Sequence, residues 1–67
     1  MPREWLIEAR KKKHMTQKAV SDAVGVKPPT YWNYEQGNIN PSPAKAQRIA
    51  EVLGFEWTKF FPESTAN

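Results

Sequence analysis

The sequence predicts an all-α fold, a compact bundle of five short helices in a single domain. Two observations carry this reading. Apolar residues recur at helical spacing, most cleanly at Ala46, Ile49, Ala50 and Leu53, and each helical run is bracketed by residues that start or stop helices. No run shows the alternation of a half-buried strand, and there is no internal repeat or linker. With 67 residues the chain has room for one domain, expected over 1–61, with 62–67 a polar, frayed tail.

Helix 1 is expected from Arg3 to Lys13. Pro2 suits a first helical turn, and Leu6, Ala9, Arg10 and Lys13 follow the i, i+3, i+4, i+7 pattern. Lys11, Lys12 and Lys13 lie in its last turn, where cations interact favourably with the helix dipole. His14 follows as a surface C-cap, because histidine tolerates positive φ better than most residues. Helix 2 is capped by Thr16, carries Ala19, Val20, Ala23 and Val24 on one face, and stops at Gly25. Small Ser21 and Ala23 are expected to let it approach helix 3 closely. After the tight connection Val26 to Pro29, helix 3 runs to Gln36 and is closed by Gly37. A residue preceding proline avoids the α region, so Pro28 is expected to be extended and helix 3 to begin at about Pro29. Two short helices separated by a glycine-bearing turn make a helix-turn-helix. Asn38 to Pro41 reads as a loop, and Ser42 caps helix 4 with Pro43 at its first position, Gly54 ending it. A brief fifth helix holds Trp57, Phe60 and Phe61.

Net charge is +3 and the pI is near 9.5, with cations clustered at Arg10 to Lys13. This suits a polyanionic partner, although a lysine run is more often a solvated helix face. The absence of cysteine removes disulfides and thiolate metal sites and fits a cytoplasmic location. Trp5, Leu6 and Ile7 make an apolar run too short for a signal peptide or a membrane span. A lone histidine makes no ordinary zinc site, and no nucleophile and base pair is visible. The chain is therefore expected to be no enzyme and to need no cofactor, metal, small-molecule substrate or membrane.

The segment TQKAVSDAVGVKPPTYWNYEQG, Thr16 to Gly37, followed by NPSPAKAQRIAEVLGFEWTKFF, resembles the lambda repressor, Cro and xenobiotic-response-element family of helix-turn-helix regulators. The resemblance rests on Thr16-Gln17, Gly25-Val26, Glu35, Gly37, Asn40-Pro41-Ser42 and Ala50 to Gly54 occurring jointly and in order. It implies binding to double-stranded DNA with helix 3, about Pro29 to Gln36, in the major groove. It also implies an ion pair between Arg10 and Glu35 that staples helix 1 to helix 3, and a phosphate contact at Gln17. Lys18, Lys27, Asn38, Asn40 and Lys45 are neighbouring candidates for phosphate.

The residues themselves support a reading face on helix 3. Tyr31 and Tyr34 at i, i+3 are expected to face inward against Val20, Val26 and Ile49, leaving Thr30, Trp32, Asn33 and Gln36 outward. The departure from the family pattern lies at Pro28 and Pro29, where base-reading polar side chains usually stand. Proline offers only apolar contact, for instance with a thymine methyl. Specificity then leans on Thr30, Trp32 and Asn33, or on DNA shape.

The expected function is that of a phage-like repressor of Cro type acting as a weak homodimer on a palindromic operator. The aromatic end holds more apolar area than five short helices bury. Trp57 and Phe60 are expected in the core, and Phe55 and Phe61 at the dimer interface. The alternative is a protein-interaction module, such as an antitoxin or an antirepressor partner, with DNA binding secondary.

Overall fold

The computed structural model describes residues 1–62. The polar tail expected beyond Pro62 lies outside them. Four α-helices follow one another: α1 (Glu4–Lys12), α2 (Gln17–Val24), α3 (Pro28–Gln36) and α4 (Pro43–Leu53). The expected fifth helix is instead a single 3₁₀ turn, Trp57–Phe60. Its closing bonds run three residues back, from Lys59 N–H to Glu56 C=O (3.0 Å) and from Phe61 N–H to Thr58 C=O (2.8 Å). The turn sits in the short segment between Gly54, left-handed at φ 79°, and Pro62, where 3₁₀ bonding is common in brief connectors.

The caps explain the boundaries. Thr16 Oγ1 accepts from Ala19 N–H (3.0 Å) and Ser42 Oγ from Lys45 N–H (3.2 Å), each satisfying a donor that the first helical turn leaves unpaired. At the end of α1, His14 adopts φ 56°. Its N–H reaches Lys11 C=O (2.9 Å) and the N–H of Met15 reaches Arg10 C=O (3.3 Å), the paired pattern of a Schellman stop with histidine in the usual glycine position.

The start of α3 corrects one expectation. Pro28 is the first helical residue, not an extended one, and Lys27 is the residue held extended, at φ −76° and ψ 149°. Both proline rings already fix φ near the helical value, and neither missing N–H would have had an intrahelical partner.

The core is a cluster of Leu6, Val20, Val24, Tyr31, Tyr34, Ala46, Ile49, Leu53 and Phe60, so every α-helix and the 3₁₀ turn contribute to it. Ser21 is fully buried, its hydroxyl donating to Lys18 C=O (2.8 Å). Ala23 is exposed, so the close approach of α2 uses Ser21 and not the alanine. Trp57, expected in the core, is only half-buried and packs edge-on to Phe61. Phe55 and Phe61 are also half-buried. Phe55 meets Trp5 at 5.1 Å and Phe60 at 5.7 Å between ring centroids, geometries in which the positive edge of one ring meets the negative face of another.

Candidate nucleic-acid interface

The site begins with the turn that joins α2 to α3. Gly25 lies at φ 84°, a left-handed conformation that residues with a Cβ rarely adopt. Its N–H and that of Val26 both bond Ser21 C=O, at 2.9 and 3.0 Å, and the chain reverses within Gly25, Val26 and Lys27. Burial of Tyr31, Tyr34 and Glu35 then sets the roll of α3. Pro28 and Pro29 are exposed, Trp32 is 46% exposed, and Thr30, Asn33 and Gln36 are half-exposed.

The inner face of α3 is anchored by charge. Arg10 Nε lies 2.6 Å from Glu35 Oε2, and its terminal nitrogen donates to Oε1 at 3.3 Å. The same guanidinium donates to Met15 C=O at 3.0 Å. Glu35 is 1% exposed, and burial opposes its ionisation. Hydrogen bonds from Arg10 and Gln17 nevertheless hold its carboxyl below the usual carboxylate value, while the bond to Glu35 raises the Arg10 pKa. The Tyr31 hydroxyl is buried in the same pocket without a hydrogen bond of normal geometry. Burial, and then the neighbouring Glu35 carboxylate, push its pKa well up.

Several residues expected to meet DNA are tied into the protein. Gln17 Nε2 donates to Glu35 Oε1 at 2.9 Å, linking the start of α2 to the Arg10 staple. Asn33 Nδ2 donates to Pro29 C=O (3.1 Å), and its Oδ1 accepts from Asn38 Nδ2 (2.8 Å). This fixes the Asn33 rotamer and joins α3 to the loop that follows it. Asn40 accepts from Arg3, and Lys45 Nζ reaches Val24 C=O at 3.4 Å, at the end of α2. Lys18 pairs with Asp22 at 2.8 Å, an exposed contact of small net worth that a phosphate can displace. Lys27 is exposed and enters none of the ion pairs among the described residues.

Arg3 and Arg48 were not foreseen. The Arg3 guanidinium donates to Tyr34 C=O, Ile39 C=O and Asn40, and its backbone N–H donates to Glu35 C=O at 2.6 Å. The chain start thus seats on the end of α3. Gly37 is needed there for space, since a Cβ at this position would meet Met1 O at 2.5 Å. Arg48 Nε reaches Ala23 C=O at 3.3 Å. No short-range pattern signals either contact, because the partners lie 25 to 37 residues away.

A two-helix unit with a three-residue turn, its second helix stapled from within and exposed outward, is the arrangement that the family comparison now identifies. The sequence pattern of the family described as Helix-turn-helix matches residues 6–60. The chain belongs to the lambda repressor/Cro-type helix-turn-helix family. A relative from Bacillus subtilis (strain 168), the "Uncharacterized HTH-type transcriptional regulator YqaF", is 38% identical over 63 residues, covering 94% of this chain and 83% of the relative. Family membership makes this a DNA-binding domain, with α2 and α3 as its helix-turn-helix. Among the described residues no helix is long and apolar enough to cross a membrane, and no group of three or more His, Cys, Asp or Glu is arranged to hold a metal ion.

Proposed function

We propose that the protein is a sequence-specific transcriptional repressor of the phage-like Cro type, a weak dimer on a palindromic operator with α3 in the major groove. The observation that carries the reading is the two-sidedness of α3. Tyr31, Tyr34 and Glu35 lock one side into the core, while Pro28, Pro29, Thr30, Trp32, Asn33 and Gln36 face away from it. A helix held this rigidly presents its outer side chains in one register, as reading base edges requires.

Within this reading Asn33 is the reader of adenine, through an amide already oriented by Asn38. Pro28, Pro29 and Trp32 supply apolar contact, Lys18 and Lys27 meet phosphates directly, and Gln17, Asn38 and Asn40 do so on exchanging their bonds to Glu35, Asn33 and Arg3. The half-buried Phe55 and Phe61 rings are the dimer contact. The name of the Bacillus relative supports transcriptional regulation as the role.

Selection of bound duplexes from a random pool tests the proposal. The expected product is an inverted repeat whose half-sites lie one helical turn, about 34 Å, apart. Recovery of no preferred sequence would refute specific repression.

A further inference from the structure

The face formed by α1 and the end of α4 carries a groove of about 440 Å³ that α2 and α3 do not touch. Trp5 and Phe55 make its aromatic floor, Ala9 and Leu53 its apolar wall, and Lys12, Lys13 and Lys59 its rim. Trp5, Ala9 and Lys12 lie on one stripe of α1, with Lys13 capping its end, so the groove runs along that helix for about 10 Å. Two of the rim lysines lie against the groove's own walls. Lys59 Nζ sits 5.2 Å from the Trp5 ring centroid, a cation–π position. Lys13 reaches across to α4, its Cε 3.6 Å from where a Cβ on Gly54 would stand.

The charge of the groove is one-sided. Glu8 is the single carboxylate in the lining against the three lysines, and none of those lysines enters an ion pair among the described residues. On the far side of Phe55 the character reverses. There a second groove, of about 310 Å³, is lined by Glu51 and Glu56 beside Trp57.

We infer that the Trp5–Phe55 groove is a docking site for a short acidic segment of a partner protein, with one aromatic or aliphatic side chain on the Trp5–Phe55 floor and carboxylates on Lys12, Lys13 and Lys59. Charge complementarity selects this occupant. A second copy presenting the same groove would set lysine against lysine, and the dimer contact proposed above has the Trp57 side of Phe55 and Phe61 available to it. The length fits about three extended residues at about 3.3 Å each. Because α2 and α3 contribute nothing to the lining, the segment docks while the helix-turn-helix is on DNA. The groove is therefore a place where a partner recruits, or is recruited by, the bound protein.

The test uses the full chain and a fluorescein-labelled hexapeptide of aspartate and glutamate around one phenylalanine, read by fluorescence polarisation. A peptide of the same length with lysine in place of the acids is the control. The acidic peptide binds, more weakly as salt rises, and the lysine peptide does not. Lys12→Glu with Lys13→Glu lowers the affinity by about tenfold or more. Lys18→Glu with Lys27→Glu, the same change in net charge away from the groove, leaves it unchanged, and circular dichroism verifies that both double variants are folded. Four results overturn the inference: equal binding of the two peptides or binding of neither; equal losses in the two double variants; displacement of the acidic peptide by duplex DNA; or self-association, seen by sedimentation, that Lys12→Glu with Lys13→Glu abolishes, which would assign the groove to a second copy.

Discussion

Replacing Arg10 by methionine isolates the energetic core of the site. The substitution keeps much of the apolar stem while removing the guanidinium that gives Glu35 its contacts at 2.6 and 3.3 Å. Glu35 is then a carboxylate 1% exposed, with Gln17 as its remaining close donor at 2.9 Å. Stranding one member of a buried pair costs about 3–5 kcal/mol. A domain of this size has a total stability of roughly 3–10 kcal/mol, so the variant stands near the edge of folding. The melting temperature should fall by about 12–40 °C, at about 4–8 °C per kcal/mol.

The pH response distinguishes a lost charge partner from lost packing. In the unaltered protein the folded-state pKa of Glu35 lies below its unfolded value. The pair's contribution is then fully present above the unfolded carboxylate range and lost as pH falls through the folded pKa. In Arg10→Met the same carboxyl is buried without its cation, its folded pKa rises, and the gap to the unaltered protein narrows as pH falls. Pairing Arg10→Met with Glu35→Met should cost less than the sum of the two single changes. Urea unfolding from about pH 2 to 8 measures all of this. Additive, sub-kilocalorie effects without pH dependence would refute the buried staple.

Tyr31→Phe should change stability by less than about 1 kcal/mol, because the buried hydroxyl has no well-formed bond to lose. The folded pKa of Tyr31 is raised, so its share of stability is present below the unfolded tyrosine value and declines as pH rises past it. The phenylalanine variant should be the more resistant at high pH in a melt series. Arg3→Ala should destabilise by about 1.5–3 kcal/mol through loss of its charged hydrogen bonds, and faster amide exchange across Gly37 to Asn40 would report the loosened loop. For about six phosphate contacts per dimer, log affinity for DNA against log salt should slope near −5, and a flat response in a titration series would favour a protein partner over DNA.

The elements that local chemistry governs were legible in the sequence. Thr16 and Ser42 are caps, His14 and the glycines are stops, and the Ala46 to Leu53 stripe is a helix because residues a few positions apart decide each of these. The start of α3 was misread by one residue, since Lys27 obeys the extended preference of a residue before proline while Pro28, which also precedes a proline, takes the helical conformation against it. The last helix was misread as to type, its bonds being those of a 3₁₀ turn in the short span between Gly54 and Pro62. What stayed invisible is long-range polar pairing. Arg3 finds its partners at the end of α3, Gln17 turns inward to Glu35, and Asn33 meets Asn38. Each pairing depends on how helices cross, which spacing along the chain does not encode. Trp57 shows the same limit, since it is Phe60 and not Trp57 that the turn places in the core.

The central claim, that α3 reads sequence, is tested most directly by the affinity of Asn33→Ala for the preferred site compared with random duplex, measured at one salt concentration. An amide that pairs with adenine is worth about 1–3 kcal/mol on the preferred site and almost nothing on random DNA. The comparison also cancels any general loosening caused by freeing Asn38. The account predicts a loss confined to the preferred site, and an equal loss on both duplexes would contradict it.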